Sequence, residues 1–384
     1  MFTKSGSYII KVTGNCNLYC PYCYHFSGKK RVPKSTLSID LLESFIEQAV
    51  ELTPDKVWFI WHGGEPLLAG IDYFKRIVAI EERITAKRGT KFRNSIQTNA
   101  TLVNHQWADF FQAHDFGVGV SLDGTKEIHD RNRVYFSQKG SFDQTIKNIH
   151  LLQDTGLRIG ILAVVTKSSL GKEREILDYF LQIPVRSFNF LPCVEIAEND
   201  CEALPFSITD NDYAEFMINM FDLWTELDDP SVRVRYFNSA IIGLLGLTPP
   251  SCTFNGTCGN YVTLNNDGGV FPCDNFINYK ELKFGNLQES SLDTLLKGDV
   301  RHDFYEASKV QRAECEICDF QTACHGACRK YSYIFRKKLS DPNFLCGSRK
   351  VIFSHIAGYL EENIAGYKRP SVPKAVNLAD IKIN

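Results

Sequence analysis

Apolar positions in the first half of the chain follow two alternating rhythms. Short runs rich in β-branched and aromatic residues are followed by longer stretches in which apolar residues return every three or four positions. YIIKV (8–12) precedes a helical pattern at 39–52, and KVWFIW (56–61) precedes one at 71–88. RNSIQT (93–98) precedes 104–114, FGVGVSL (116–122) precedes 141–155, and RIGILAVV (158–165) precedes 173–182. VRSFNFL (185–191) closes the series. Such alternation predicts βα units around a parallel sheet. Six strands are too few to close an eight-stranded barrel, so the expected fold class is α/β, a partial (β/α)6 TIM-like barrel. In such folds the chemistry gathers on loops at the carboxyl ends of the strands.

The second half has a different texture. Residues 209–227 read as an amphipathic helix beginning at a Thr or Asp cap, and LTPP at 247–250 marks a break. From 252 onward Gly, Asn, Asp and Cys are frequent and helical periodicity is weak. This predicts a second domain of short strands and loops whose thin core needs bound metal. Helical periodicity returns at 347–366, and the tail from Lys368 is expected on the surface or partly mobile. The expected organisation is a barrel over 1–195, a bridging helical segment over 196–250, a cysteine-rich domain over 251–348, and a C-terminal helix and tail over 349–384.

Composition narrows the classes. An apolar content of 44% and a charged content of 23% are those of a globular protein. Lys+Arg 43 against Asp+Glu 45 leaves a net charge of −2, which gives no general attraction to nucleic acid. No apolar run is long enough to span a bilayer and the N-terminus shows no secretion signal, so a cytoplasmic location without a membrane partner is expected. The 13 cysteines are clustered, with only Cys193 and Cys201 outside the groups at 16–23, 252–273, 315–328 and 346. Clustered thiols in a chain without a secretion signal point to metal or cluster ligands rather than disulfides.

The first group, CNLYCPYCY (16–24), holds three cysteines with spacing C-x3-C-x2-C on the loop after the first strand. Thiolates bind iron–sulfur clusters four at a time, so three leave one iron open to chelate a small molecule. Cys16, Cys20 and Cys23, with Tyr22 before the last of them and βα units behind, resemble the radical S-adenosylmethionine (SAM) superfamily. That resemblance implies a 4Fe–4S cluster whose open iron binds SAM and whose electron cleaves it to a 5′-deoxyadenosyl radical. HGGEP (62–66) follows the second strand and resembles the family motif that holds the SAM amino group, which makes Gly63, Gly64 and Glu65 candidates. QTNAT (97–101) and SLDG (121–124) follow the next two strands, so Asn99, Ser121 and Asp123 are candidates for the SAM carboxylate or ribose, against turn and cap roles. Arg131 and Arg133 in IHDRNR are further candidates for a carboxylate or a peptide, against surface pairing.

The later cysteines follow the pattern C-x9-G-x4-C … C-x2-C-x5-C-x3-C … C, from Cys258, Gly268 and Cys273 through Cys315, Cys318, Cys324 and Cys328 to Cys346. This resembles the SPASM domain, with Cys252 as an eighth thiol. By that resemblance Cys252, Cys258, Cys273 and Cys328 hold one auxiliary 4Fe–4S cluster, and Cys315, Cys318, Cys324 and Cys346 hold a second. Spacing alone would group Cys328 with its neighbours. Read without the family, the same cysteines suit two zinc ribbons and a non-catalytic zinc-binding module.

The resemblance spans about residues 6–360 and is strongest to peptide-modifying SPASM enzymes: anaerobic sulfatase maturases and maturases that cross-link ribosomally made peptides. In VFPCDNF (270–276) Asp274 stands where sulfatase maturases carry the aspartate read as the proton acceptor. Desolvation beside a cluster is expected to raise its pKa. Sulfatase maturases often carry an aromatic pair after the last cysteine of the first motif, where this chain has Tyr24 and His25, and some carry Gln where it has His62. Both histidines are candidate acid–base groups or substrate contacts. These departures tilt the expectation towards a cross-link (cyclophane, ether or thioether), with formylglycine formation in a sulfatase as the alternative. The implied partners are a peptide or protein substrate, with or without a leader, and an electron donor such as flavodoxin or ferredoxin. A chain that begins about fifteen residues before Cys16 is expected to leave no room for a separate leader-binding domain ahead of it, so a leader would be read by residues 192–250 or by a partner protein, or the substrate would be the nascent segment of a folded protein.

Overall fold

The computed structural model describes residues 5–24, 35–183, 185–195, 203–256, 258–259, 261–310 and 312–370. Six parallel strands follow one another in space as in sequence: β1 (Ser5–Lys11), β2 (Lys56–His62), β3 (Lys91–Thr98), β4 (Gly117–Ser121), β5 (Ile159–Val165) and β6 (Ser187–Pro192). Along β5 the buried side chains are every second residue, Ile159, Ile161, Ala163 and Val165, as a strand with one face on the outer helices requires. The helix Ile39–Leu52 returns the complementary stripe, Leu42, Phe45, Ile46, Ala49 and Val50, and starts at Ser38, whose hydroxyl accepts from the Leu41 amide. Tyr8, Phe45, Phe59 and Trp61 meet in the core between them.

Six strands are expected from the periodicity, and among the described residues ten form the sheet. An open partial barrel leaves two edges with unpaired backbone groups, and both are covered. β7 (Arg233–Val234) joins β6, while β8 (Tyr261–Leu264), β9 (Gly269–Phe271) and β10 (Gly285–Asn286) extend the sheet beyond β1. β8 runs parallel to β1, with Tyr8 opposite Val262. The cysteine-rich half is therefore built onto the barrel sheet. These four strands have two to four residues each, too few for a period of two to show.

That half also carries more helix than its pattern predicts, including Leu292–Lys297 and Asp299–Lys309. The second of these buries only Phe304 and Ser308, so its sequence shows almost no apolar stripe. The long helices Asp210–Leu227 and Cys346–Asn363 lie together, with Phe221 against the rings of Tyr359 and His355 and the Asp210 carboxylate accepting from the Ser348 amide at 3.0 Å. Among the described residues no helix is long and apolar enough to cross a membrane. Residues 371–384, most of the tail expected to be surface or mobile, lie outside the described residues.

Candidate active site

A cavity of about 460 Å³ opens at the carboxyl ends of the strands, between the barrel and the cysteine-rich half. Cys20 and Cys23 line one side of it, and Cys252 and Cys328 another.

Cys16, Cys20 and Cys23 sit on the loop after β1, and a second loop clamps it. The Gly64 amide donates to Thr13 O at 2.8 Å and the Glu65 amide to Asn15 O at 2.7 Å. A Cβ on Gly64 would stand 2.1 Å from Asn15 O, and one on Gly63, at φ +149°, 2.5 Å from Thr13 O. Only glycine allows this approach. Glu65 is buried beneath the turn, where its carboxylate accepts from the Thr98 hydroxyl and from the amides of Asn99 and Leu67. Burial pushes its pKa up to about 7 against those hydrogen bonds. Cys16 Sγ accepts from the Leu18 amide at 3.4 Å and faces the Asn99 amide nitrogen at 3.9 Å.

Burial pushes the Cys16 thiol up to about 12 and Cys20 higher still. Thiols so costly to ionise become thiolates only beside a metal centre that supplies positive charge, so the donor set fits an iron–sulfur cluster. The candidate cofactor residues divide. Gly63, Gly64 and Ser121 line the cavity, and Gln97 lines it with Ser121, donating to its hydroxyl at 3.0 Å. Asn99 turns to Asn17 and Thr101. Asp123 is fully occupied behind the wall by Tyr22, the Val164 amide and Arg133, the last at 3.0 Å. Arg133 reaches the cavity, whereas Arg131 pairs with Glu127 on the surface.

The eight later thiols fall into two sets. Cys258 and Cys273 each lie within electrostatic reach of Cys252 and Cys328, and Cys346 lies beside Cys315, Cys318 and Cys324. Cys328 thus sits with thiols far from it in sequence. Three arginines stand among these sulfurs: Arg329 near Cys258, Cys315 and Cys328, Arg349 near Cys324 and Cys328, and Arg312 in the recess of the second set. Their buried atoms Arg329 Nη1, Arg349 Nε and Nη2, and Arg312 Nε have no hydrogen-bond partner among the described residues. Orphaned guanidinium N–H groups around paired sets of four thiols fit anionic, thiolate-ligated clusters. Cys193 lines the cavity and packs with Cys20 and Tyr22; Cys201 lies outside the described residues.

Asp274 faces the cavity next to Cys273 and belongs to a compact polar group. Lys11, fully buried, places Nζ 2.5 Å from the Tyr24 hydroxyl, 3.2 Å from His62 Nδ1 and 3.7 Å from Asp274 Oδ2. The Tyr24 hydroxyl donates to Asp274 at 3.4 Å. A raised Asp274 pKa is expected from burial, and burial does favour the protonated form, yet the neighbouring Lys11 leaves its pKa below the usual carboxylate range. Burial pushes His62 down to about 4, with Lys11 adding to the shift. His25 lies outside the described residues. Lys11 and Gln97 are among the site residues that sequence reasoning passes over. A lysine inside the apolar run YIIKV, at the strand end before the cysteine loop, was the available signal. Lys330 paired with Glu195 at 3.3 Å adds a further polar patch to the wall.

A model of the radical SAM superfamily matches residues 10–180, and one for SPASM, an iron–sulfur cluster-binding domain, matches residues 252–324. The cysteine-type anaerobic sulfatase-maturating enzyme of Clostridium novyi is 34% identical over 369 residues, covering 94% of this chain and 96% of that one. The serine-type enzyme of Bacteroides thetaiotaomicron is 30% identical over 411 residues, covering 100% and 98%. The solved structure of native anSMEcpe with bound AdoMet and Cp18Cys peptide superposes with a TM-score of 0.85 at 29% identity, covering 93% of this chain and 98% of that one. Streptococcus suis SuiB bound to precursor peptide SuiA, at 16% identity, TM-score 0.60 and coverage of 89% and 76%, shares the fold.

Proposed function

The chain belongs to the radical SAM/SPASM family of the anaerobic sulfatase-maturating enzymes, and from that premise we propose that it oxidises a Cys or Ser side chain of a sulfatase to formylglycine. Full-length identities of 34% and 30% to sulfatase-maturating enzymes move the reading from the expected cross-link to this reaction. The observation that carries it is the position of Asp274, on a cavity walled by thiols of both halves.

SAM and 4Fe–4S clusters are the cofactors of this family, and the thiol sets suit three clusters: one on Cys16, Cys20 and Cys23, two on the eight later cysteines. When bound, these groups supply a hydrogen-abstracting radical and an acceptor for one electron. The remaining work falls to the side chains. Asp274 accepts the proton of the substrate hydroxyl or thiol. Lys11 and Tyr24 hold its carboxylate in place, and Lys11 keeps it ionised. Loss of one hydrogen atom, one proton and one electron turns the –CH2–OH of Ser into an aldehyde. From Cys the same loss gives a thioaldehyde, which water converts to the aldehyde with release of hydrogen sulfide. An external donor of the flavodoxin or ferredoxin class supplies the electron that starts each cycle.

Anaerobically purified protein should hold about twelve irons per chain, with matching sulfide. With SAM, reductant and a sulfatase peptide it should give a product captured by a hydrazide probe for aldehydes. A product lighter by two hydrogens but silent to the probe would return the reading to a cross-link. Asp274→Asn should leave SAM cleavage within about threefold and reduce aldehyde formation by roughly a hundredfold. Normal product from that variant would remove Asp274 from the role.

A further inference from the structure

His62 ends β2 with its ring on the cavity wall, and its proton can be located from its neighbours. Nδ1 lies 2.9 Å from the Gly63 amide nitrogen and 3.2 Å from Lys11 Nζ. A backbone amide only donates, so Nδ1 must present its lone pair, and the single proton of the neutral ring is on Nε2. Protonating Nδ1 would point one N–H at another and set a second cation beside Lys11. The downward pKa shift agrees with that geometry. Nε2 has no hydrogen-bond partner among the described residues, and the ring faces a cavity that also holds Tyr24, Asp274, Gly63 and Gly64.

We propose that His62 is a fixed hydrogen-bond donor to an oxygen of the bound reactants, its tautomer set by the Gly63 amide and Lys11, and that it is not the proton acceptor of the reaction. A general base needs a free lone pair, and the one on this ring is already engaged. Asp274 then remains as the acceptor in the group. The oxygen that Nε2–H meets has one chemistry and two sources: a carbonyl or hydroxyl of the peptide beside the reacting carbon, or the ribose or carboxylate of SAM. The inference rests on the sulfatase-maturating reading only for the peptide source; the SAM source stands without it.

Binding is tested on reconstituted, oxidised holoenzyme, in which nothing turns over, and product formation on the same protein after reduction. Affinities for SAM alone, and for a sulfatase peptide in the presence of SAM, are measured by calorimetry for the wild type, His62→Gln and His62→Leu. Gln keeps an N–H donor and cannot act as a base near neutral pH; Leu keeps neither function. The expected result is a His62→Gln enzyme within about threefold of wild type in binding and turnover, and a His62→Leu enzyme weakened roughly tenfold for one reactant. A loss confined to SAM identifies the cofactor oxygen, and a loss confined to the peptide identifies the substrate oxygen. If His62→Gln binds both reactants normally yet forms as little product as His62→Leu, the histidine moves a proton and the proposal is overturned. Wild-type affinities and turnover in His62→Leu would overturn it equally. A wild type that binds both reactants and forms no aldehyde would instead sink the formylglycine reading and leave the SAM arm of this one readable.

Discussion

The two thiol-bearing regions hold their sulfurs by different means. In the barrel, the loop of Cys16, Cys20 and Cys23 is clamped by backbone hydrogen bonds from Gly64 and Glu65, and by the buried Asp123–Arg133–Tyr22 group. Those restraints are protein on protein. In the cysteine-rich half four of the eight sulfurs ride on one-turn helices, Cys252–Asn255, Ala313–Glu316 and Gln321–Cys324, and on the first residue of Cys346–Asn363, and the other four on the segments between helices. Around Cys258 and Cys273 the apolar cluster is small, with Phe276, Phe304, Tyr333 and Leu339 at its centre, while Cys318 and Cys324 pack against the edge of the main core, and three arginines carry N–H groups without a partner among the described residues. The contrast predicts a barrel site that is shaped before its cluster is bound. It predicts a second half that is completed by what it binds.

The sharpest way to break this contrast is to remove one sulfur from each region. Cys20→Ala should lower SAM cleavage by roughly three orders of magnitude while the auxiliary iron stays bound. Cys258→Ala should leave SAM cleavage within a fewfold and remove product. Equal loss of SAM cleavage in the two variants, followed by deoxyadenosine assay, would show that the halves do not act separately.

A smaller blow on the barrel side needs no cysteine. Gly64→Ala puts a methyl group 2.1 Å from Asn15 O, and backbone at that distance has to shift. About one-third of the iron should be lost, with SAM cleavage down roughly a hundredfold and the eight-thiol region unchanged. Iron analysis with deoxyadenosine assay decides it; full iron and normal cleavage would mean that the clamp is dispensable.

Iron removal should then act in the opposite sense. Hydrogen exchange across 252–345 is expected to speed up by about a hundredfold in metal-free protein, while β1 to β5 keep their protection. Uniform loosening of both halves would contradict the contrast.

The same contrast explains what could be read from the chain. Strand and helix bounds in the barrel follow periodicity closely, because each element buries one face against its neighbours; Ile71–Arg88 and Glu173–Gln182 fall where the pattern puts them. The helix Asp299–Lys309 was not visible, since it buries too little to leave a stripe. The company Cys328 keeps is set by tertiary folding, and spacing pointed to its neighbours instead. Asp274 was found from its place beside Cys273, but the direction of its pKa shift was not, because the deciding charge is Lys11, 263 positions earlier in the sequence. Glu65, Asn99 and Asp123 stand at strand ends as the motifs indicate; that their side chains turn into the loop architecture is a matter of hydrogen-bond partners that no motif records.

The smallest effect concerns the barrel alone and tests whether its stability is its own. Glu81, on the helix Ile71–Arg88, is buried, and one carboxylate oxygen accepts from Asn94 Nδ2 at 2.7 Å, while Asn94 in turn accepts from Trp61 Nε1 at 2.8 Å. Its other oxygen has no partner among the described residues. Burial raises its pKa from 4.5 to about 8. A folded-state pKa above the unfolded value means that the carboxyl's stabilising contribution is complete below pH 4.5 and is lost as pH rises through about 8. The barrel should therefore weaken between those limits, with Glu65, raised to about 7, contributing part of the slope. Glu81→Gln removes the ionisation while keeping the carbonyl for Asn94. It should be nearly neutral at pH 5 and stabilising by about 1–3 kcal/mol at pH 9, measured by denaturant unfolding of the barrel signal. Because its hydrogen-bond partner is Asn94 and burial dominates its shift, the gain should be the same with and without iron. A gain that appears only in the iron-loaded protein would tie the barrel's stability to its clusters, and the division between the two halves would fail on the barrel's side.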